Sequence, residues 1–547
     1  MSWLTSSRLR AALLVLLVVS KCWVAALSSK VGIDGAYYMD VAGHVRDGHG
    51  LMTDVSLFNA AMPHFPHPTP IYPLWPLLLG YSARLVPIDV AAVWLPSLLW
   101  IATLFLGERL FRKLAPFPLG HPSIDGGVLF LLTFGMNPTN WRHATRPYTE
   151  PLGFLLLVLF LWRLVAYTRR PALTVAFELG LWCGLMILSR SQLVLVTVAM
   201  LTVLGGRVVV GPDRARALAH APVVVIGVLV ALSPWLAWLD TFTEVTPGTV
   251  LSFQTWQAQP GLTKVSVVAP WEGLGPWLLK RLEGVGEAYT PTGKYAYYIV
   301  FHGAEYVVFP GLVVAWTERR ALWRWVKDPD NTVLLFVVVL GLGWMAQLHL
   351  LNKPFFSKWN FGLRHAIPAV AVIGPTIGWL LWRGGWARWA AAGCLVWSVV
   401  ASAQSLGFGM RGYRASKVRI RANEVVGEWV RHHALPGEAP VAMMMDPYTQ
   451  YVGRAHDGIG WHWVFARTPV ADLQFIVREL DADFLITSAH SKAIPGNGDV
   501  AGFEALFVER EDAPDGWRVW DVRAAGDDGA GQLPKYMTMD DEEDDER

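Results

Sequence analysis

Apolar runs separated by short basic or prolyl breaks fill the chain from Ala11 to about residue 405, and a different texture begins beyond it. Crossing a bilayer takes roughly 20 apolar residues in a helix. Runs near that length begin close to Ala11, Val90, Gly126, Pro151, Leu173, Gln192, Pro222, Tyr298, Thr332, Leu363 and Arg388, some of them a few residues short. They predict a polytopic α-helical membrane protein with about 11 transmembrane helices. One further apolar stretch, Tyr72 to Tyr81, carries Pro73 and Pro76 in its first turns and gives way to Arg84. At about 1.5 Å per residue it reaches only about 20 Å, so it predicts an amphipathic helix lying along the membrane surface.

After the last run the pattern changes to short buried strands and helical spacing. Arg419 to Val430 and Val470 to Leu480 read as helices, and Val441 to Met445, Phe484 to Thr487 and Trp517 to Val522 as strands. The expected division is a membrane domain over 1–406, a small α/β domain over 407–525 and a solvated acidic tail over 526–547. Within the membrane domain, long loops cover 29–89 and 241–297.

Composition agrees with this class and narrows it. Across 547 residues, 53% hydrophobic content, 16% charge and a mean hydropathy of +0.35 are too apolar for a soluble chain of this length. The net charge of +2 hides where the charges lie, and their placement decides the topology. If Tyr72 to Arg84 stays on the surface, the clusters at Arg8 and Arg10, Arg109 to Lys113, Arg169 and Arg170, Arg207 to Arg216, Arg319 to Lys327, and Arg383 and Arg388 share one side. If it crosses, all but the first change sides. The positive-inside rule favours the first arrangement. The loops at 29–89, Asn140 to Glu150, Arg190, Asp240 to Tyr297 and Asn352 to His365, with the C-terminal domain, are then extracytoplasmic. Ala11 to Leu27 also has the make-up of a cleaved signal peptide, with Ala25-Ala26-Leu27-Ser28 as its site, but the many later spans favour a retained anchor. Cys22, Cys183 and Cys394 all fall inside apolar runs, without metal-knuckle spacing. No nucleotide-phosphate loop is present, and no nucleic-acid partner is expected.

The residues with chemical promise gather in the outer loops. Asp34 leaves the first helix in the segment Val31-Gly-Ile-Asp-Gly-Ala-Tyr37-Tyr38-Met-Asp40. Helical spacing sets Asp34, Tyr37, Tyr38 and Val41 on one side, where a carboxylate can act as a general base; an N-cap role fits equally well. Thr145-Arg146-Pro147-Tyr148-Thr149-Glu150-Pro151 opens the fourth span, and Glu150 suits either a site or the positive end of the helix dipole. Arg190 interrupts an apolar hairpin, and Arg364 and His365 lie at the outer end of the tenth span, in the same loop as Lys353 and Lys358. Guanidinium forks suit phosphate, although arginines near helix ends more often simply reach the interface. His44, His49, His64 and His67 enrich the first outer loop in imidazole, but no two of them have the i, i+4 spacing of a metal motif.

The order Asp34, Tyr72-Pro73-Leu74, Tyr148-Thr149-Glu150 and Arg364-His365-Ala-Ile-Pro368 resembles the GT-C superfamily of membrane glycosyltransferases. The likeness is to the branch of protein O-mannosyltransferases, lipid A aminoarabinose transferases and rhizobial galacturonosyltransferases. It implies transfer of a sugar, with inversion, from a polyprenyl-phosphate donor to a lipid, polysaccharide or protein acceptor outside the cytoplasm. In the same terms it implies Asp34 as the catalytic base and Tyr37, Tyr38, Arg146, Tyr148, Glu150, Arg190, Lys353, Arg364 and His365 as substrate-binding residues. No soluble cofactor is required by such a scheme, and a divalent ion is optional. The chain departs from the family pattern in two places: Gly35 follows Asp34 where many members have a second acid, and His365 stands where they have Tyr. Asp40 is a candidate for the missing acid. The rival readings are a transporter or polysaccharide exporter using Glu178, His302 and Glu305, and a noncatalytic scaffold presenting the C-terminal domain. The transporter reading lacks paired, interrupted spans.

Overall fold

The computed structural model describes residues 6–27, 33–56, 67–69, 71–114, 125–136, 144–190, 193–210, 214–245, 425–433, 441–444, 459–463, 482–488 and 499–522, with five positions between 333 and 340 and four between 470 and 477. The expected spans near Tyr298, Leu363 and Arg388, most of the loop 241–297, and the acidic tail lie outside these residues. So do Lys353, Arg364, His365, His302 and Glu305.

Among the described residues, four helices are long and apolar enough to cross a membrane: α1 (Ser6–Leu27), α4 (Ile88–Leu114), α6 (Glu150–Arg169) and α9 (Arg214–Val245). Helices α7 (Leu173–Ser189) and α8 (Val194–Val210) have 17 residues each, about 25 Å, a little under the hydrocarbon thickness. Helix α5 (Gly126–Phe130) runs straight into a π-helical turn, Leu131–Gly135. Two shorter helices sit between the first spans, α2 (Ile33–Asp47) and α3 (Leu74–Ser82). With 9 residues α3 is about 14 Å long, and no helix of that length crosses a bilayer.

The spans run up and down with distinct ends. At one end Arg10 pairs with Glu108 at 2.9 Å and with Asp125, Lys113 lies 4.6 Å from the Trp162 ring centroid, and Tyr167 Oη meets His220 Nδ1 at 2.7 Å. Near that end Glu178 pairs with Arg163. At the other end Trp75 of α3, fully buried, donates its indole N–H to the Pro147 carbonyl at 2.9 Å, and Ser97 of α4 donates to the Ala144 carbonyl at 3.1 Å. These two bonds pin the loop before α6 to α3 and α4.

Close approach of α2 and α3 depends on Gly80. A Cβ at that position would lie 2.6 Å from the Ala42 carbonyl oxygen and 2.7 Å from Val45 Cβ, so the two helices cannot keep their spacing. Gly80→Ala is expected to lower stability by about 1–3 kcal/mol. The check is the thermal midpoint in detergent, with Gly205→Ala of α8, where nothing lies within 4 Å, as the harmless control. Equal midpoints for the two variants would overturn the packing.

The C-terminal residues form a sheet of six strands in the order β2-β5-β4-β6-β8-β7, where β4 is Val441–Met444, β5 Gly460–Trp463, β6 Phe484–Ser488, β7 Phe507–Glu509 and β8 Trp517–Val522. Side chains alternate as strands require: Met443 and Leu485 pack on one face with Leu473, Val477 and Phe503, while Ala442, Phe484 and Ile486 pack on the other with Val426 and Val430. Helices therefore cover both faces, as the parallel part of the sheet demands. The short helix α10 (Val500–Leu506), capped by Asp499, leads into β7.

One strand of this sheet was not foreseen and comes from the N-terminal part of the chain. The edge strand β2 is Val55–Ser56, from the first outer loop, and it pairs in parallel with Trp461 and His462 of β5. Its neighbour β1 (Met52–Thr53) pairs instead with β3 (His67–Pro68). The sheet is thus completed by a segment of the membrane domain.

Candidate functional site

Helix α2 is the element that organises this end of the molecule. Ala36, Met39 and Ala42 recur every three residues and are buried against Leu79, Ala83, Ile88 and Ala92, which fixes one face of the helix on α3 and α4. Gly48 stops the helix at φ 90°, a value that suits glycine, and the His49 amide closes the last turn onto the His44 carbonyl at 2.9 Å. The chain then returns through β1 and β2. Asp34 is the second residue of α2, inside its first turn rather than at the cap position before it.

Tyr37 and Tyr38, expected on one side, diverge. Tyr37 packs with Trp429 against the core of the sheet and shares a hydrogen bond between its Oη and Thr69 Oγ1. Tyr38 packs against the core of the helical bundle. Adjacent helical residues point about 100° apart, and α2 lies between two cores, so each ring takes a different one. Both phenols are half-buried, and α2 is clamped between membrane helices and sheet.

Asp40, the candidate for the missing acid, lies six residues after Asp34 on the same helix. Its side chain is fully buried; Oδ2 accepts from Thr53 Oγ1 at 2.6 Å and from the Asp54 amide at 2.9 Å. His44, one turn later, brings Nε2 to 3.1 Å from Asp54 Oδ2, and its Nδ1 lies 3.4 Å from His49 Nδ1. Asp40, His44 and Asp54 each offer a ligand atom within 4.8 Å of the others, all three residues being buried. Burial, and then the charge of Asp54, push the Asp40 carboxyl up to about 7. The i, i+4 spacing of Asp40 and His44 was present in the sequence; comparing histidines only with one another passed over it.

The second constellation is the loop before α6 with the end of α7. Glu150 begins α6 and is buried; its carboxylate binds Arg190 Nη1 at 2.6 Å, and the same nitrogen lies 3.4 Å from Thr149 Oγ1. The structure thus joins two residues singled out separately. Arg190 has its charge answered inside the protein, so a phosphate must share it with Glu150. Arg146 is also buried, with Nη1 3.3 Å from Tyr148 Oη and its guanidinium carbon 5.7 Å from that ring's centroid. Its Nε has no hydrogen-bond partner among the described residues. A buried guanidinium with a spare donor, beside the positive end of α6, suits an anion. Of the residues proposed for a transporter, Glu178 is engaged by Arg163.

No protein-family model matches the chain, and no curated protein matches it in sequence. Solved structures do. ArnT from Cupriavidus metallidurans bound to undecaprenyl phosphate superposes with a TM-score of 0.55 at 12% identity, over 93% of this chain and 97% of that one. The archaeal oligosaccharyltransferase AglB from Archaeoglobus fulgidus, in complex with an inhibitory peptide and a dolichol-phosphate, gives 0.52 at 12% identity over 89% and 70%. The oligosaccharyltransferase of the same organism in complex with Zn and sulfate gives 0.50 at 12% over 87% and 68%. At such identity the likeness is one of fold.

Proposed function

We propose that the chain is a membrane glycosyltransferase that moves a sugar, with inversion, from a polyprenyl-phosphate donor to a lipid, polysaccharide or protein acceptor at the extracytoplasmic surface. The observation that carries the reading is the shared fold across nearly the whole of a protein solved with undecaprenyl phosphate bound. A dolichol-phosphate and a peptide bound to the second neighbour suit the same donor and acceptor classes.

Asp34 is the base that takes the acceptor's proton as the sugar leaves the phosphate. A carboxylate in the first turn of a helix is kept ionised by the positive dipole end, which is the state a base needs. Arg146 and Arg190 bind the donor's phosphate and stabilise it as it departs, with Tyr148 and Glu150 holding them in place. Lys353, Arg364 and His365, which lie outside the described residues, are assigned to the donor's phosphate from the sequence resemblance. Tyr37 and Tyr38 shape the acceptor side by fixing α2. No soluble cofactor enters this scheme.

The reading is tested by supplying the purified protein with polyprenyl-phosphate sugars and following the release of polyprenyl phosphate. Mass spectrometry of envelope glycolipids and glycoproteins from a deletion strain then identifies the acceptor. No release with any pentosyl or hexosyl donor, and no missing glycoconjugate, would remove the proposal.

The sidedness has its own check. In a chain freed of Cys22, Cys183 and Cys394, cysteines are introduced at Asp515, exposed on the turn before β8, and at Arg109, exposed near the basic end of α4. An impermeant thiol reagent added to intact cells should label position 515 and leave 109 untouched. The reverse pattern would put the proposed site on the cytoplasmic face and sink the donor assignment with it.

A further inference from the structure

Two carboxylates and an imidazole meet where α2 turns back into β1 and β2, in a place from which water is excluded. Asp40 is fully buried, and His44 and Asp54 keep only 5% and 6% of their surface. Such a group is stable only if something positive is shared among its members. His44 lies against Asp54, yet Asp40 Oδ1 is buried without a hydrogen-bond partner among the described residues. Its other oxygen already has two donors, from Thr53 and the Asp54 amide. A lone pair left bare in a closed cluster points to a missing electron-pair acceptor.

We propose that Asp40, His44 and Asp54 form a binding site for a divalent transition cation of the zinc class, which ties α2 to the β1–β2 turn. The donor set is one nitrogen and two carboxylate oxygens, which suits zinc; calcium and magnesium favour all-oxygen sites. Ligands about 2.1 Å from zinc in a tetrahedron stand about 3.4 Å apart. His44 Nε2 and Asp54 Oδ2 are already 3.1 Å apart, and the third ligand atom is within 4.8 Å of both. Side-chain adjustments alone close the rest. Thr53 holds Asp40 in orientation, and His49 engages the far nitrogen of His44, the arrangement that metal-binding imidazoles and carboxylates ordinarily have around them.

The place of the site in the fold gives it a positioning role. The Asp54 carbonyl accepts from the Trp461 amide at 2.8 Å, and the next residues form β2. A cation here therefore fastens the helix that bears Asp34 to the edge of the C-terminal sheet. Asp34 precedes Asp40 by six residues, about 9 Å along the axis, so the cation lies away from the proposed base.

The test needs no sugar transfer and so stands or falls apart from the proposed activity. Full-length protein in detergent is stripped with a chelator and titrated with zinc alone, and in parallel with cobalt, whose visible spectrum reports nitrogen and oxygen ligation. One equivalent is expected to bind, the thermal midpoint is expected to rise with zinc concentration, and cobalt is expected to give a ligand-field band. Asp40→Asn and His44→Gln should each weaken binding at least 100-fold and abolish the band, and His49→Ala should weaken it about 10-fold. Should Asp40→Asn not fold, His44→Gln alone carries the comparison. Binding that is unchanged in His44→Gln would assign the ion to other acids, such as the tail, and overturn the proposal. Absence of binding to the intact protein would do the same and leave a shared proton as the positive partner.

Discussion

Asp34→Asn is expected to reduce turnover by on the order of 10²-fold or more while the protein expresses and melts normally. The amide keeps the size of the side chain and most of its ability to accept hydrogen bonds, and loses the ability to take a proton. Asn caps a helix about as well as Asp, so a structural role for Asp34 at the start of α2 survives the replacement. A purely structural role would cost at most about 1 kcal/mol and leave the rate nearly intact. Turnover is measured as polyprenyl phosphate released, stability as the midpoint in detergent. Transfer at a near wild-type rate by the Asn variant would take Asp34 out of the mechanism.

The second large effect is expected at the ion pair joining α6 and α7. Glu150→Ala leaves Arg190 charged with its side chain 16% exposed, and breaking such a pair by removing one member costs about 3–5 kcal/mol. The double variant Glu150→Leu with Arg190→Met removes both charges and should recover most of the midpoint, because no buried charge is stranded. Its activity should stay lost, since Arg190 is assigned to the donor's phosphate. That split between regained stability and absent activity is the informative result. A double variant that transfers sugar at the normal rate would reduce Arg190 to a strut between two helices.

Much of the membrane layout was legible because apolar runs carry their own length. Helices begin close to the expected points at Ala11, Val90, Gly126, Pro151, Leu173 and Gln192, and α9 begins eight residues before Pro222, since a proline is tolerated inside a long helix held by its neighbours. The shortness of α3 was readable from Pro73 and Pro76. Strands β4 and β6 were readable as short buried apolar runs, and β8 from alternation. What escaped were features whose cause lies far along the chain. Two residues of β2 carry no period of their own, and their pairing with β5 is a long-range contact. Glu150 and Arg190 each looked like ordinary helix-end residues, and only the packing of α6 on α7 makes them partners. Asp40 and His44 share a helix face in plain view, but Asp54 joins them only because Gly48 turns the chain back.

The pairing of Val55 with Trp461 also sets a timetable. These positions are about 400 residues apart, and at a synthesis rate of about 5–20 residues per second the second emerges roughly 20–80 s after the first. Throughout that interval the newly inserted first spans hold a loop whose edge strand has nothing to pair with. The loop acquires its final support only once the segment carrying β5 has been made, so a chain that stops short of it leaves β2 without its partner strand. The pairing that steadies the helix bearing Asp34 thus waits on a segment more than 400 residues further along the chain.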